Sequence, residues 1–245
     1  MDRTKGCVSA AAGFCLFWSL ILFAMAVTVY SMAGDGGLLA GEMRRFAPSE
    51  TTGLPDEEYP EMGRMIADYL TGRKQEFQYI FRDEKGTETV CFQPHEAAHM
   101  ADCRGLISLA GTLRWIAAGA ALVFFGTGIG IRKHRKAFLS GVIAGFVFGG
   151  LVLAGVLVWG IIDFDGLFVT FHKVAFSNDG WLLDPRTDML IRLMPTPFFV
   201  NLGIRLMLAV AATALAAFGG AVTARLAAGK KKQKAGHTEK ATRDL

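Results

Sequence analysis

Four long apolar stretches dominate the chain. Two of them contain no charged residue and two contain a single arginine: Gly6–Gly34, Ala137–Ile162, Leu106–Ile131 with Arg114, and Phe198–Thr223 with Arg205. A helix needs about 20 residues to cross the hydrocarbon core of a bilayer, so each stretch is long enough to span it. We therefore predict four transmembrane helices, at residues 9–31, 106–130, 138–161 and 199–224. The first stretch has a longer apolar core than a cleaved signal peptide, which favours a retained anchor.

The segment between the first two spans has periodic patterns of its own. Apolar residues recur at helical spacing across 56–72, which predicts an amphipathic helix. Residues 76–90 alternate instead, and Glu84-Lys85-Gly86 is a turn signal, so this stretch is predicted to be a β-hairpin. Pro94 is predicted to begin a helix that continues into the second span. The fold class is an all-α polytopic membrane protein, with four transmembrane helices and a small mixed α/β extracytoplasmic segment.

Composition supports a membrane protein, and the distribution of charge predicts its orientation. The chain is 52% hydrophobic and 20% charged, with a mean hydropathy of +0.35, which excludes disorder and an ordinary soluble domain. Lys and Arg cluster in the N-terminal segment, in residues 132–136 and in the tail after residue 229, whereas residues 33–105 carry 14 acidic against 8 basic side chains. By the positive-inside rule, both termini are cytoplasmic. The basic tail is interpreted as a topology signal that contacts anionic lipids, so nucleic acid is not an expected partner.

These boundaries divide the chain into eight parts. They are a cytoplasmic stub with the first span (1–31), an extracytoplasmic segment (32–105), the second span (106–130), a basic cytoplasmic loop (131–137), the third span (138–161), a second extracytoplasmic segment (162–198), the fourth span (199–224) and a basic cytoplasmic tail (225–245). Cys91 and Cys103 both fall in the first extracytoplasmic segment, where a disulfide is permitted.

A short string at the start of the second span contains two histidines. His95-Glu96-x-x-His99 matches the zinc-binding pattern in which both histidines share a helix face and the glutamate is a general base. A zinc site needs a third protein ligand, which His172 or Asp102 would have to supply. The alternative is an amphipathic helix start, with acidic residues near its positive end.

The same string allows a different grouping. Glu96, His99 and Asp102 are spaced by three and share a helix face, so a carboxylate would orient the His99 ring and raise its basicity. His172 is the only histidine of the second extracytoplasmic segment and is flanked by phenylalanines. Both histidines are predicted to lie near the same membrane face.

At this point the chain resembles the lipoprotein intramolecular transacylases (Lit), integral membrane proteins of Gram-positive bacteria. The resemblance covers most of the chain, and Cys103 is a departure from the family pattern. Two motifs carry it: Glu96-x-x-His99-Met100-x-Asp102, and Asp165-x-x-Phe168-x-x-Phe171-His172-x-x-x-Phe176-x-Asn178-x-x-Trp181-x-Leu183-Asp184-Pro185-x-x-Asp188-Met189-Leu190-Ile191, followed by Pro197-Phe198-Phe199.

The resemblance implies an acyltransferase that acts on bacterial lipoproteins. The sn-2 acyl chain of the diacylglyceryl-cysteine moves to the α-amine of that cysteine, which gives the lyso form. Membrane lipids are further partners, no cofactor or metal is implied, and the active site faces the outer leaflet. His99 and His172 are the candidate catalytic residues, as base and hydrogen-bond donor in either order. The candidate supporting or substrate-binding residues are Glu96, Asp102, Asn178, Trp181, Asp188, Arg114 and Arg205.

The two intramembrane arginines are candidates because a buried charge in a membrane is costly and often functional. Arg114 and Arg205 are both expected either to serve a function, for instance by bonding substrate carbonyls or pairing with Asp102, or to extend outward to headgroups. Two other functions stay open. A membrane-bound zinc metalloprotease would require His95, and a non-enzymatic membrane assembly factor would tolerate the loss of both His99 and His172.

Overall fold

Nine helices and one two-stranded sheet form the described part of the chain, residues 2–82, 86–130 and 132–243 of a computed structural model. The helices are α1 (Asp2–Gly34), α2 (Gly36–Phe46), α3 (Ser49–Thr52), α4 (Tyr59–Leu70), α5 (Pro94–Gly130), α6 (Arg135–Ile162), α7 (Phe164–Ala175), α8 (Met189–Leu193) and α9 (Thr196–Arg243). The strands are β1 (Ile80–Arg82) and β2 (Glu88–Val90), and single 3₁₀ turns cover Asp56–Glu58 and Arg132–His134.

Four of these helices are long and apolar enough to cross a membrane, which confirms the four predicted spans. They are Arg3–Gly34, Pro94–Gly128, Arg135–Ile162 and Thr196–Ala227. The first, third and fourth helices extend beyond the predicted span at both ends, and the second begins at Pro94 rather than at residue 106, because polar residues continue the helical backbone outside the apolar stretch. As predicted, Pro94 begins the helix that becomes the second span.

The chain divides into two compact units. The first contains Met1–Ala24, Trp115–Gly155 and Val210–Leu245. Within it, Gly13 of α1 and Gly141 of α6 each lie against a backbone carbonyl of the other helix, at Phe138 and Ala10, where a Cβ would clash. Small residues of this kind allow two membrane helices to approach closely. Phe17 is buried beside this contact.

The second unit contains Met25–Arg114 and Val156–Ala209 and holds the candidate site. Its core brings together the apolar faces of α2, α4 and α8, the hairpin and the beginning of α5. The predicted amphipathic helix is α4, whose apolar residues are buried. The hairpin is also present, with Ile80 opposite Val90 and Arg82 opposite Glu88 in antiparallel register. Its predicted turn includes Glu84 and Lys85, which lie outside the described residues.

Helix α2 begins at Asp35-Gly36-Gly37, which has the composition of a turn. The Asp35 side chain accepts a hydrogen bond from the Leu38 amide and caps the N-terminus of the helix. The disulfide that the sequence permits between Cys91 and Cys103 is not formed, since both cysteines are free. Cys91 is buried, and burial raises the pKa of its thiol to about 12.

Candidate active site

Helix α7 positions His172 and determines which of its ring nitrogens carries a proton. The Asp163 side chain accepts a hydrogen bond from the Gly166 amide at 2.8 Å and so caps the N-terminus of α7. The backbone carbonyl of Phe168, one turn before His172, accepts a hydrogen bond from the Nδ1 of His172, also at 2.8 Å. In the neutral ring, Nδ1 is therefore the donor and Nε2 has the free lone pair.

Aromatic rings enclose His172 on several sides. The ring centroid of His172 lies 4.1 Å from that of Phe168, 5.3 Å from Phe171, 5.5 Å from Phe176 and 5.1 Å from Trp181. Burial lowers the pKa of His172 below its ordinary value, and the hydrogen bond to the Phe168 carbonyl opposes this shift only in part. The neutral form is therefore favoured near pH 7.

His99 of α5 lies beside this enclosure. The ring centroids of His99 and His172 are 6.1 Å apart, with 35° between the ring planes. The Phe176 ring packs edge-on against His99 at 5.2 Å and thus contacts both histidines. Residues 73 positions apart in the sequence thus form one pair of buried imidazoles.

The two nitrogens of His99 have different surroundings. Its Nε2 lies 3.5 Å from the Sγ of Cys103, one turn further along α5. Its Nδ1 is buried and has no hydrogen-bond partner among the described residues. A buried polar atom without a partner costs about 1–3 kcal/mol, so such atoms are uncommon and are concentrated at functional sites.

Glu96 does not form the expected hydrogen bond to His99. Its side chain is completely buried, and its two oxygens accept hydrogen bonds from the backbone amides of Gln93 and Leu190, each at 2.7 Å. The first bond caps α5, and the second caps the N-terminus of α8, whose own capping residue, Asp188, forms no side-chain bond to it. Glu96 therefore joins the beginning of α5, which carries His99, to the start of α8, which follows the His172-bearing helix α7 and its loop in the chain.

Asp188 makes a second connection between these segments. Its carboxylate accepts hydrogen bonds from His95 at 3.0 Å, from the Asp184 amide at 2.8 Å and from the Thr187 hydroxyl at 2.8 Å. Burial raises the pKa of Asp188, but these donors more than offset it, so the pKa lies below its ordinary value. Asp188 is 3% exposed and accepts from three donors, as a buried carboxylate must to stay ionised.

Asp102 and Asn178 also contact each other rather than the histidines. The Asn178 amide donates to the Asp102 carboxylate at 2.9 Å, and the Asn178 carbonyl accepts from the Gly180 amide at 2.9 Å. Both groups of Asn178 therefore have partners, one on α5 and one within the loop that leads to Trp181.

The two intramembrane arginines make their described contacts elsewhere. Arg114 lies over the Tyr30 ring at 4.0 Å and donates to the Gly111 carbonyl. Arg205 donates to Glu42 at 2.9 Å. Glu42 was not identified from the sequence. Its position on the apolar face of α2 was a usable signal, since a buried acid requires a charged partner.

The residues of the zinc-binding pattern do not come together as a metal site in the described structure. No group of three His, Cys, Asp or Glu side chains suited to a metal ion occurs in the described ranges. His95 is bonded to Asp188, and the proposed general base Glu96 is committed to two backbone amides. These contacts favour the transacylase interpretation over the metalloprotease.

Comparisons with known proteins agree with this geometry. A family model for the lipoprotein intramolecular transacylase Lit matches residues 12–199. A search of curated proteins found no significant match. A solved structure of the membrane integral lipoprotein intramolecular transacylase Lit from Bacillus cereus has a TM-score of 0.69 and 18% identity, with 92% of this chain and 98% of that chain covered. A variant of the same enzyme with a histidine-to-alanine mutation has a TM-score of 0.66 and 18% identity, with 94% of this chain and 98% of that chain covered.

At 18% identity the structural likeness shows the fold, whereas the family match spans most of the chain and includes both motifs. The chain therefore belongs to the Lit family of integral membrane lipoprotein intramolecular transacylases and is an acyltransferase that acts in lipoprotein modification.

Proposed function

We propose that this chain transfers the sn-2 acyl chain of a diacylglyceryl-modified lipoprotein to the α-amine of its N-terminal cysteine, with His99 and His172 as the catalytic residues. The observation that carries the proposal is the pair of buried imidazoles, 6.1 Å apart within an aromatic enclosure. Donor ester and acceptor amine belong to one substrate molecule, so the enzyme needs to bring them together and to move protons between them.

The proton balance defines what the two imidazoles must do. The α-ammonium first loses a proton to water, and its ordinary pKa of about 7.7–8.0 leaves a substantial neutral fraction near pH 7. The amine nitrogen then attacks the ester carbonyl carbon. This creates an oxyanion and a positively charged nitrogen that must lose a proton. When the bond to the sn-2 oxygen breaks, that oxygen requires a proton. One base can take the proton from nitrogen and return it to this oxygen.

His172 is suited to be this base. The Phe168 carbonyl holds the proton on Nδ1, so Nε2 presents a lone pair. Burial lowers the pKa of His172, which keeps the ring neutral and ready to accept a proton near pH 7.

His99 is suited to donate a hydrogen bond to the oxyanion. A thiol is a weak hydrogen-bond donor, and the Cys103 Sγ lies 3.5 Å from His99 Nε2. When Cys103 donates to Nε2, the ring proton of His99 is on Nδ1, the buried atom that has no partner in the described structure. A donor in this position would stabilise the developing negative charge.

The remaining site residues support this pair. Phe168, Phe171, Phe176 and Trp181 form apolar walls that exclude water and hold the acyl chains. Holding the ester and the amine within reach lowers the activation barrier by several kcal/mol, on the order of the 7–11 kcal/mol available to well-oriented intramolecular reactions.

The topology completes the proposal. Residues 32–105 and 162–198 are extracytoplasmic, so the small mixed α/β segment and the histidine pair face the outer leaflet. Both termini and the basic loop 131–137 are cytoplasmic, in keeping with the positions of Lys and Arg. Reporter fusions at residues 40–100 and 165–190 should be external, and an external tail would overturn this orientation.

The decisive experiment is expression in a heterologous bacterial host that makes diacyl lipoproteins. Mass spectrometry of lipoprotein N-terminal peptides should detect an N-acyl cysteine with a monoacylglyceryl thioether. His99→Ala and His172→Ala should each abolish this product while the protein remains in the membrane, whereas His134→Ala, a histidine outside the site, should retain it. Near wild-type conversion by either His99→Ala or His172→Ala would refute the two-histidine mechanism.

A further inference from the structure

A second cavity, of about 270 Å³, lies beside the end of α1, the turn after α4 and helix α5. We name it the arginine cavity and define it by Tyr30, Thr71, Gly72, Arg104, Ser108 and Arg114. It shares no lining residue with the aromatic enclosure of the two histidines. No acidic residue is among the described residues that line it.

Arg104 keeps its charge uncompensated in this cavity. Its guanidinium lies over the Tyr69 ring at 5.2 Å and donates to the Lys74 carbonyl at 3.4 Å and to the Gln75 side chain at 3.2 Å. These acceptors are neutral, and within the described residues Arg104 forms no salt bridge. They hold the group in place and use only part of its five donors.

Arg114 adds a second positive charge from within a membrane-spanning helix. Its guanidinium lies 4.0 Å from the Tyr30 ring centroid and bonds to the Gly111 carbonyl. Ser108, which lies between the two arginines on α5, adds a hydroxyl donor to the cavity.

We infer that the arginine cavity binds the phosphodiester of an anionic membrane phospholipid. Two guanidinium groups present planar pairs of donors that match the oxygens of a phosphate. The flanking surface of α5 favours a lipid over free phosphate, because Leu109 and Ile116 are 52% and 59% exposed and would contact acyl chains. The lipoprotein substrate of the proposed reaction has no phosphate in its diacylglyceryl group. The occupant is therefore a different lipid, and the inference does not depend on the proposed mechanism.

The test measures lipid binding to the purified full chain by native mass spectrometry in an uncharged detergent. Phosphatidylglycerol should bind saturably with a stoichiometry of one, and diacylglycerol with the same acyl chains should not. The double variant Arg104→Gln/Arg114→Gln should weaken phosphatidylglycerol binding at least about 10-fold, the effect of losing one or two hydrogen bonds to a charged group. Arg82→Gln, which removes an exposed arginine of the hairpin, is the matched control and should bind as the wild type does.

Several outcomes would overturn the inference. Equal binding of phosphatidylglycerol and diacylglycerol would show that only acyl chains are recognised. Wild-type affinity in a folded double variant would show that the two arginines do not bind the lipid. Inorganic phosphate that displaces the lipid at equal concentration would identify free phosphate as the ligand. If the double variant does not fold, Arg104→Lys retains the charge and removes the planar donor pair, and it should still bind phosphatidylglycerol several-fold more weakly than the wild type.

Discussion

Replacement of Glu96 tests whether this residue serves the chemistry or holds the two histidine-bearing segments together. Its carboxylate accepts two backbone hydrogen bonds of 2.7 Å, from Gln93 at the beginning of α5 and from Leu190 at the beginning of α8. A hydrogen bond to a charged group contributes about 1.5–3 kcal/mol, so Glu96→Ala should destabilise the local structure by about 3–6 kcal/mol. Glu96→Gln retains one acceptor oxygen and should lose about half of this.

Hydrogen exchange of the α8 peptide measures the effect directly. The Leu190 amide is protected by Glu96, and a loss of 3 kcal/mol corresponds to an opening equilibrium about 100-fold more favourable. We expect exchange at Leu190 to accelerate by about this factor in Glu96→Ala and by about 10-fold in Glu96→Gln. Glu57→Ala, which removes an exposed glutamate elsewhere in the same unit, should leave it unchanged.

His99→Ala is the second comparison, because it separates structure from catalysis. It should abolish formation of the lyso product and leave Leu190 exchange within about threefold of the wild type, since His99 makes no hydrogen bond to α8. Glu96→Ala should lose both the formation of the lyso product and the protection of the Leu190 amide from exchange. Unchanged exchange in a Glu96→Ala protein that has lost conversion would refute the capping argument and would return Glu96 to a direct role in the reaction.

Four further predictions follow from individual contacts. As the pH falls from about 7.5 to 6.5, conversion should fall by less than about 10-fold, in proportion to the neutral fraction of the substrate α-amine. Because burial lowers the pKa of His172, protonation of its ring should add a steeper decline below about pH 6.5; protonation there also favours the unfolded state, so the melting temperature should fall in that lower range. His95→Ala should stay within a few-fold of wild-type conversion, and the purified wild-type protein should contain no stoichiometric zinc by elemental analysis and should keep its activity in EDTA. Cys103→Ser should convert near the wild-type rate, whereas Cys103→Ala should be about 10-fold slower in a lyso-product assay, since one hydrogen bond sets the ring tautomer. Glu42→Ala and Arg205→Ala should each lower the melting temperature, because each removes one partner of the ion pair that satisfies the buried Glu42 carboxylate, and the Glu42→Gln/Arg205→Gln double variant should recover part of the loss.

The long helices and the hairpin were predictable because their signals are local. A bilayer requires only length and apolar composition, so four uncharged or nearly uncharged stretches suffice to predict four spans. The periodicity of α4 and the alternation before β2 likewise depend on neighbouring residues. Helix α7 was not predicted, although two local signals were present: Asp163 is the kind of residue that caps a helix, and the residues after it have an apolar and a polar face.

The sequence singled out the two histidines of the candidate site, but it did not predict the hydrogen bonds that hold the surrounding segments in place. Spacing along α5 placed Glu96 on the same face as His99, but spacing within one helix contains no information about a partner 94 residues away. The Leu190 amide competes for the carboxylate and, as a buried helix-end donor, has the stronger need for it. Asp188 shows the same limit, since its partner His95 lies 93 positions earlier in the chain.

These tertiary contacts change how loss of activity in this unit is to be interpreted. Glu96 connects the start of α5 to the start of α8 through two helix caps, and the buried Asp188 carboxylate adds a hydrogen bond to the exposed His95. His99 lies one turn beyond Glu96 on α5, and its spacing from His172 therefore depends on the Glu96 caps as well as on the aromatic rings. Loss of these caps would displace one of two imidazoles that must act on a single ester, and a displacement of about 1 Å is enough to lower such a rate by about 100-fold. His95→Ala leaves both caps in place. Activity assays alone would thus assign Glu96 to the catalytic residues, whereas exchange at Leu190 distinguishes a residue that positions the histidines from one that takes part in proton transfer.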